Sequence, residues 1–318
     1  MRNRKIKTND MEGAIKTLVS RDESRRILAI MKEEDIVTHS HFEEGDTIYD
    51  PAFLFPLLSH LLAPGSVASS FRLLRSGLLS VPVMGLSSHC PLMRAAAYHV
   101  LHRFHLLLET ETRHKNDKLL LTDFISTLRQ SLSTAINTPS EGELKNPRLP
   151  AIGALYLARA LMVCTLPTEP LYKPVNNFLI AKRFVDLTVV PDFLSLFHDS
   201  EVDAVKRRQW ILDVIKDGTK TIADVNVVFK TMCIKMLMDF YDTIISDRKT
   251  KLKILGALNS IIAIPRACEI LVEGHGFMSW LHFVVRSTET GCAAILKGVL
   301  VIIENMIYST AFNLFARR

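Results

Sequence analysis

The stretch PLMRAAAYHVLHRFHLLL, residues 91–108, decides the fold class of this chain. Its apolar side chains recur at steps of three and four residues, and this spacing places them on one face of an α-helix. Pro91 suits the first turn of that helix, because a proline there sacrifices no backbone hydrogen bond. We therefore predict a helix that buries the face made of Met93, Ala97, Val100, Phe104, Leu107 and Leu108.

The same helical spacing extends along most of the chain. The predicted helices cover 51–62, 91–108, 118–136, 149–164, 171–184, 204–216, 225–245, 249–264, 268–283 and 288–311. The links between them are short, and EGHG at 273–276 also marks a break. In DGTKTIAD at 217–224, Gly218 ends one helix and Thr221 or Asp224 is the N-cap of the next. No alternating pattern bounded by turn residues indicates a β-hairpin. We predict an all-α fold, an α-solenoid of antiparallel helical hairpins of the HEAT or armadillo type. The alternative is a compact, irregular helical domain.

Two segments depart from this regular helical pattern. Residues 1–45 form a basic N-terminal segment that we expect to be partly helical, and residues 46–318 form the helical-repeat domain. The polar stretch INTPSEGELKNPRLP at 136–150 contains three prolines and one glycine, so we expect a flexible loop there.

Composition excludes several classes of protein. With 48% hydrophobic and 23% charged residues among 318, the chain has the composition of a folded protein. Its five cysteines form no CxxC pair, which argues against a disulfide framework and a structural zinc site. The net charge of +6 is compatible with a polyanionic partner without requiring one. No secretory signal follows the basic start, and Lys297 and Glu304 interrupt the longest apolar run, so we predict no membrane span.

Residue patterns typical of catalysis are missing. The chain has no GxSxG motif, and EGHGF at 273–277 does not match a phosphate-binding loop. His99, His102 and His105 lie on the polar face of the 91–108 helix, where we expect solvated side chains in preference to a metal site. His39 and His41 are a weak alternative for metal binding from a loop. We predict no enzymatic activity, no cofactor, no metal and no small-molecule substrate.

Basic clusters are the remaining feature with a possible function. Two of them lie near predicted helix starts, where free backbone N–H groups and the helix dipole favour anions. We select them as candidate RNA-contact residues: Lys206, Arg207, Arg208, Arg248, Lys249, Lys251 and Lys253. The alternative is that these cations only keep the helix faces soluble. Trp210 continues an apolar stripe, so we expect it in the core and not as a platform for base stacking.

Four stretches together resemble a known family. They are YDPAFLFPLLSHLLAP (49–64), LSSHCPLMRAAAYHVL (86–101), LYKPVNNFLIAKRFVDLTVVPDFLSLFHDSE (171–201) and RRQWILDVIKDGTKTIADVNV (207–227). In this order they resemble the C-terminal region of the nucleolar pre-ribosomal-associated protein 1 family, and the resemblance spans about residues 47 to 285.

The resemblance implies a function in ribosome biogenesis. Members of this family are very large helical-repeat scaffolds of the nucleolus that act in assembly of the large ribosomal subunit and in pre-rRNA processing. The implied partners are early pre-ribosomal particles, pre-rRNA, pre-60S assembly factors and a DEAD-box helicase, and no catalytic residues are implied. Since the chain is much shorter than such a protein, we expect a fragment or a truncated relative. A protein-only armadillo-like adaptor with no RNA role remains the alternative.

Overall fold

A computed structural model describes residues 51–63, 70–110, 115–136, 147–164, 166–181, 185–288 and 292–316. Every regular element within these ranges is a helix and none is a strand, so the prediction of an all-α fold is confirmed. The basic segment predicted at 1–45, with His39 and His41, lies outside the described residues.

The chain divides into two compact units, the first ending at Leu187 and the second starting at Thr188. The described helices of the first unit are α1 (Pro51–Leu61), α2 (Ser70–Arg75), α3 (Ser80–Gly85), α4 (Pro91–Thr110), α5 (Lys115–Ile136), α6 (Ala151–Val163) and α7 (Tyr172–Ala181). Those of the second unit are α8 (Phe193–Phe197), α9 (Ala204–Gly218), α10 (Ile222–Lys230), α11 (Cys233–Tyr241), α12 (Arg248–Ile262), α13 (Pro265–Gly274), α14 (Phe277–Ser287) and α15 (Ala293–Ala316).

The first unit is built around α3, whose residues are all buried. The hydroxyl of Ser80 at its start donates a hydrogen bond of 2.7 Å to the carbonyl oxygen of Ala158 in α6. A Cβ at Gly85 would come within 2.7 Å of the Phe55 ring and 3.2 Å of the Ala97 side chain. Only a glycine therefore allows α3 to pack this closely against α1 and α4.

The end of the predicted 136–150 loop is held by the first unit. The Tyr98 hydroxyl donates to the carbonyl oxygen of Pro147 at 3.0 Å, and Arg148 Nε donates to the carbonyl oxygen of Ser87 at 2.7 Å. The next residue, Leu149, is fully buried. Residues 147–150 are therefore fixed, whereas 137–146 lie outside the described residues.

In the second unit, α9 and α12 pack side by side and run parallel. Gln209 Nε2 lies 3.5 Å from Thr250 Oγ1, near the start of both helices. One turn further along each helix, the ammonium group of Lys253 pairs with the carboxylate of Asp213. Because both contacts advance in the same direction, the two helices begin at the same end of the unit.

Helix α15 continues this arrangement on the other side of α12. Asn305 Nδ2 donates to Asn259 Oδ1 at 2.8 Å, and the Ser309 hydroxyl donates to the carbonyl oxygen of Ile262 at 2.9 Å. These contacts also advance in the same direction. The second unit therefore contains three parallel long helices, α9, α12 and α15, with two shorter helices after α9 and two after α12.

The short helices correct two predictions. The single helix predicted over 225–245 is divided into α10 and α11 at Thr231 and Met232. The one predicted over 268–283 is divided into α13 and α14, where Gly276 has a left-handed φ of 63°. Periodicity missed the break at Thr231 and Met232 because the helices on either side each bury an apolar face. The break before α14 coincides with EGHG (273–276), whose glycines mark a helix end in the sequence. The start of α10 matches one of the two N-cap candidates of DGTKTIAD (217–224): Thr221 is the N-cap, and the other candidate, Asp224, forms a capping box with it.

Within the described part of the chain, no single helix has both the length and the apolar composition needed to cross a membrane. The pair α12 and α13 reaches that composition jointly, but the two helices are bent by 114° at the break between them.

Candidate nucleic-acid interface

The parallel packing of α9 and α12 brings the two predicted basic clusters to one end of the second unit. Lys206, Arg207 and Arg208 lie in the first turns of α9. Arg248 and Lys249 open α12, followed by Lys251 and Lys253. The sequence pattern does not establish this proximity, because it depends on the direction in which two helices separated by two others pack.

The Arg207 guanidinium is occupied by acidic side chains of its own unit. It forms ion pairs with the carboxylates of Asp199 and Glu201, the latter at 2.7 Å, and only 7% of the residue is exposed. Burial alone would raise the pKa of Asp199, but hydrogen bonds from the Glu201 backbone and the Arg207 side chain outweigh it, so this pKa is lowered. Arg207 therefore ties the segment before α9 to the helix.

Arg208 is still more deeply buried, with 4% of its surface exposed. Its Nε donates a hydrogen bond of 2.8 Å to the carbonyl oxygen of Phe197, and its guanidinium carbon lies 4.4 Å from the centroid of the Phe240 ring. Burial lowers the pKa of Arg208, and the carboxylates of Asp247 and Asp199 act in the opposite direction. The side chain thus links α9 to α8 and α11.

These contacts leave Arg207 and Arg208 little capacity to bind a phosphate. A guanidinium must offer free N–H groups to an external anion, and those of Arg207 and Arg208 are directed at internal carboxylates, carbonyl groups and a ring. The sequence contained one signal for this outcome, namely the acidic run that includes Asp199, Glu201 and Asp203 directly before the cations.

The other candidate cations have more accessible side chains. The side chain of Lys206 is 69% exposed, and its Nζ lies 3.0 Å from Asp203 Oδ1. Arg248 and Lys249 are also exposed. Lys251 is half-buried with its ammonium group 5.2 Å from the centroid of the Tyr241 ring, and Lys253 pairs with Asp213. We call Lys206, Arg248 and Lys249 the basic edge.

Neither helix start at the basic edge is capped by the side chain of its N-cap residue. Asp203 and Asp247 occupy the N-cap positions of α9 and α12, and neither carboxylate accepts a hydrogen bond from the first-turn backbone. The Asp247 carboxylate accepts instead from the Thr250 hydroxyl. The edge is therefore of mixed charge, with first-turn N–H groups and three exposed cations beside two carboxylates.

The structure gives no arrangement typical of an active site among the described residues. No group of three His, Cys, Asp or Glu side chains is placed to hold a metal ion there. His99 and His102 are exposed, and His105 Nε2 lies 3.7 Å from Glu109 Oε1. Burial raises the pKa of the Cys233 thiol, which disfavours the nucleophilic thiolate.

Trp210 corrects one further prediction. Its neighbours Ile211, Val214 and Ile215 are fully buried, but Trp210 itself is only partly buried. Trp210 directly precedes Ile211, and one residue along a helix corresponds to a rotation of about 100°. The side chain of Trp210 is therefore turned away from the centre of the face that α9 buries, to its margin.

Comparison with known proteins gives a consistent family. The model of the family described as nucleolar pre-ribosomal-associated protein 1 matches residues 79–280, which include most of the helices of both units. The human protein of that name is 24% identical over 279 residues, which are 87% of this chain and 12% of the human protein. The mouse protein is 26% identical over 243 residues, which are 76% of this chain and 10% of the mouse protein.

The chain therefore spans about a tenth of the length of these relatives. No solved structure matches it. Because the family match covers more than half of the residues, the chain belongs to the nucleolar pre-ribosomal-associated protein 1 family.

Proposed function

We propose that this chain is a non-catalytic scaffold in nucleolar ribosome biogenesis, acting in assembly of the large ribosomal subunit and in pre-rRNA processing. The observation that supports this proposal is the family match over 79–280, together with the names of the human and mouse relatives, which describe nucleolar, pre-ribosomal association. The implied partners are early pre-ribosomal particles, pre-60S assembly factors and a DEAD-box helicase.

The second unit supports a solenoid architecture of armadillo type as part of this proposal. Its long helices begin at Ala204, Arg248 and Ala293, which are spaced as in repeats of roughly 40–47 residues. The first two are each followed by two shorter helices, and successive long helices pack in parallel. A stack of this kind exposes long surfaces on which several partners can bind at once.

The basic edge is the surface that we propose for pre-rRNA. Several cations near one another are needed for phosphate binding, because each contact is weak and gains mainly from counterion release. Lys206, Arg248 and Lys249 meet this condition at neighbouring helix starts. Lys251 lies about one turn further along α12 and adds positive charge, whereas the charge of Lys253 is compensated by Asp213. Arg207 and Arg208 act by holding the edge in place.

A salt series with a structured pre-rRNA fragment tests this surface. The variant Lys206→Glu/Arg248→Glu/Lys249→Glu should bind more weakly, and its plot of log affinity against log salt should flatten by about one for each phosphate that the variant no longer neutralises. The matched control, Lys230→Glu/Lys235→Glu/Arg266→Glu, changes the charge equally at three exposed positions on α10, α11 and α13. If the basic-edge variant and the control variant bind the RNA with the same affinity and the same salt slope, the basic edge is not the RNA site.

One observation favours the second candidate, a protein-only adaptor without an RNA role. Val202 and Ile244 are fully exposed near the starts of α9 and α12, next to the acidic residues of the edge. Exposed apolar side chains among mixed charges are typical of protein-binding surfaces. If the wild-type chain binds RNA with no dependence on salt, or not at all, while binding an assembly factor saturably, the adaptor is the correct function.

A further inference from the structure

Helix α15 is apolar on both of its long sides. One side packs against α12 and α13 through buried residues, namely Ile295, Val299, Ile302 and Met306. The opposite side exposes Leu296, Leu300, Val301, Ile303, Ile307 and Tyr308. A helix that is apolar all round is normally buried all round, since water on either side is unfavourable.

The exposed side is a continuous stripe and not a set of scattered residues. Leu296, Leu300, Ile303 and Ile307 follow one another at steps of four, three and four, so their side chains lie in one row along the helix. Leu300 is 65% exposed and Ile307 is 62% exposed, whereas soluble monomers rarely leave contiguous apolar rows of this kind in water. This side of α15 therefore has the properties of an interface.

Two charged residues on the same side indicate what covers it. Lys297 and Glu304 are both exposed and lie two helical turns apart, about 10 Å along the axis. Leu300 and Val301 lie midway between them. A two-fold axis perpendicular to α15 at this midpoint places Lys297 of one copy opposite Glu304 of the other, and the reverse.

We propose that α15 pairs with α15 of a second copy of this chain, in antiparallel orientation about that axis. Such an interface is isologous, so the apolar row of each copy meets the same row of the other. The two Lys297–Glu304 pairs select the antiparallel orientation, because a parallel pair would bring like charges together at both positions. The proposal goes beyond the scaffold function and does not depend on RNA binding.

Charge exchange at these two positions tests the pairing directly. In sedimentation experiments over a concentration series, Lys297→Glu alone and Glu304→Lys alone should each weaken self-association by about tenfold or more, because each brings like charges together twice. The double variant Lys297→Glu/Glu304→Lys should self-associate like wild type. An equimolar mixture of the two single variants should form a heterodimer, since all its cross-pairs are again of opposite charge.

The apolar row gives a second, independent test. Leu300→Asp places two carboxylates at the centre of the dimer and should make the chain monomeric. Its matched control is Ile180→Asp, an isoleucine of α7 that is 65% exposed, as Leu300 is, and it should leave the dimer unchanged. Far-ultraviolet circular dichroism and thermal scans must show the same fold for all variants, as expected for exposed positions.

Each outcome decides the proposal. A wild-type chain that stays monomeric up to about 100 μM has no association stronger than about −5 kcal/mol and overturns it. A dimer that all charge variants preserve, or that the mixed single variants fail to restore, also overturns it. The basic-edge triple variant should dimerise like wild type, so failure of the RNA proposal and failure of this one are distinguishable.

Discussion

The first turns of α9 and α12 have similar sequences but different environments. Each begins with an aspartate N-cap followed by basic residues, DAVKRR in one case and DRKTK in the other. In α9 two of the cations, Arg207 and Arg208, lie on the face that packs into the unit. In α12 the buried position of the first turn is occupied by Thr250, so Arg248 and Lys249 remain exposed.

The difference teaches that the number of cations at a helix start does not predict a binding surface. What matters is the rotation of each residue relative to the packed face, which changes by about 100° per position. A buried arginine needs internal partners because the cost of burying an unpaired charge is large. Asp199, Glu201 and the Phe197 carbonyl provide them in α9.

The largest expected effect concerns Arg208. Replacing it by alanine leaves the Phe197 carbonyl without its buried donor and removes the guanidinium from the Phe240 ring, and should lower the free energy of unfolding by about 2–4 kcal/mol. Arg248→Ala, in the exposed cluster, should change it by less than about 0.5 kcal/mol. Denaturant titrations of both variants measure the difference. Similar losses in the two variants would contradict the contrast between the helix starts.

The next effect is a dependence of stability on pH. The folded pKa of Asp199 lies below its ordinary value of 3.8, so its contribution is fully present above that value and is lost as pH falls through the folded pKa. Arg207→Ala should remove about 1–2 kcal/mol at neutral pH. It should also reduce the loss of stability between about pH 5 and pH 2.

Unfolding titrations at several pH values compare wild type with Arg207→Ala. The matched control is Lys206→Ala, which removes a neighbouring cation whose partner Asp203 is partly exposed. Its pH profile should match that of wild type. If the profile of Arg207→Ala also matches that of wild type, the ion pair with Asp199 does not contribute to stability.

A smaller difference in the free energy of unfolding is expected between substitutions at a capped and at an uncapped helix start. Thr221 accepts a hydrogen bond from the Asp224 backbone N–H, so Thr221→Ala should cost about 1 kcal/mol of unfolding free energy. Asp203 makes no such bond, and Asp203→Ala should cost less. Thermal scans of the two variants test the ranking. The reverse order would mean that Asp203 stabilises α9 by a route other than capping.

The smallest expected effect concerns the half-buried Lys251 of α12. Its ammonium group lies over the Tyr241 ring, an interaction worth about 0.5–1 kcal/mol at partly exposed sites. Lys251→Gln should therefore lower the free energy of unfolding by about that amount, while Lys249→Gln should not. If neither substitution changes the free energy of unfolding measurably, the contact between Lys251 and the Tyr241 ring does not stabilise the fold.

Much of the fold was predictable from local pattern. The helix at Pro91–Thr110 and the N-cap at Thr221 follow from apolar periodicity and capping chemistry, which depend on near neighbours. The glycines of EGHG (273–276) mark the break before α14. The break before α11 was not predictable in this way, because the apolar faces of α10 and α11 mask the interruption. The partial exposure of Trp210 was not predictable either, because it depends on where along α9 the buried face ends, and a shift of one residue changes the direction of a side chain by about 100°.

The sequence by itself determined the helical class and the family, because both depend on the order of residues along the chain. Only the tertiary structure decided which cations remain available. Arg208 contacts the Phe240 ring across a long stretch of chain, and the starts of α9 and α12 become neighbours only because these helices pack in parallel. Burial and charge pairing depend on such tertiary neighbours, which no local pattern contains.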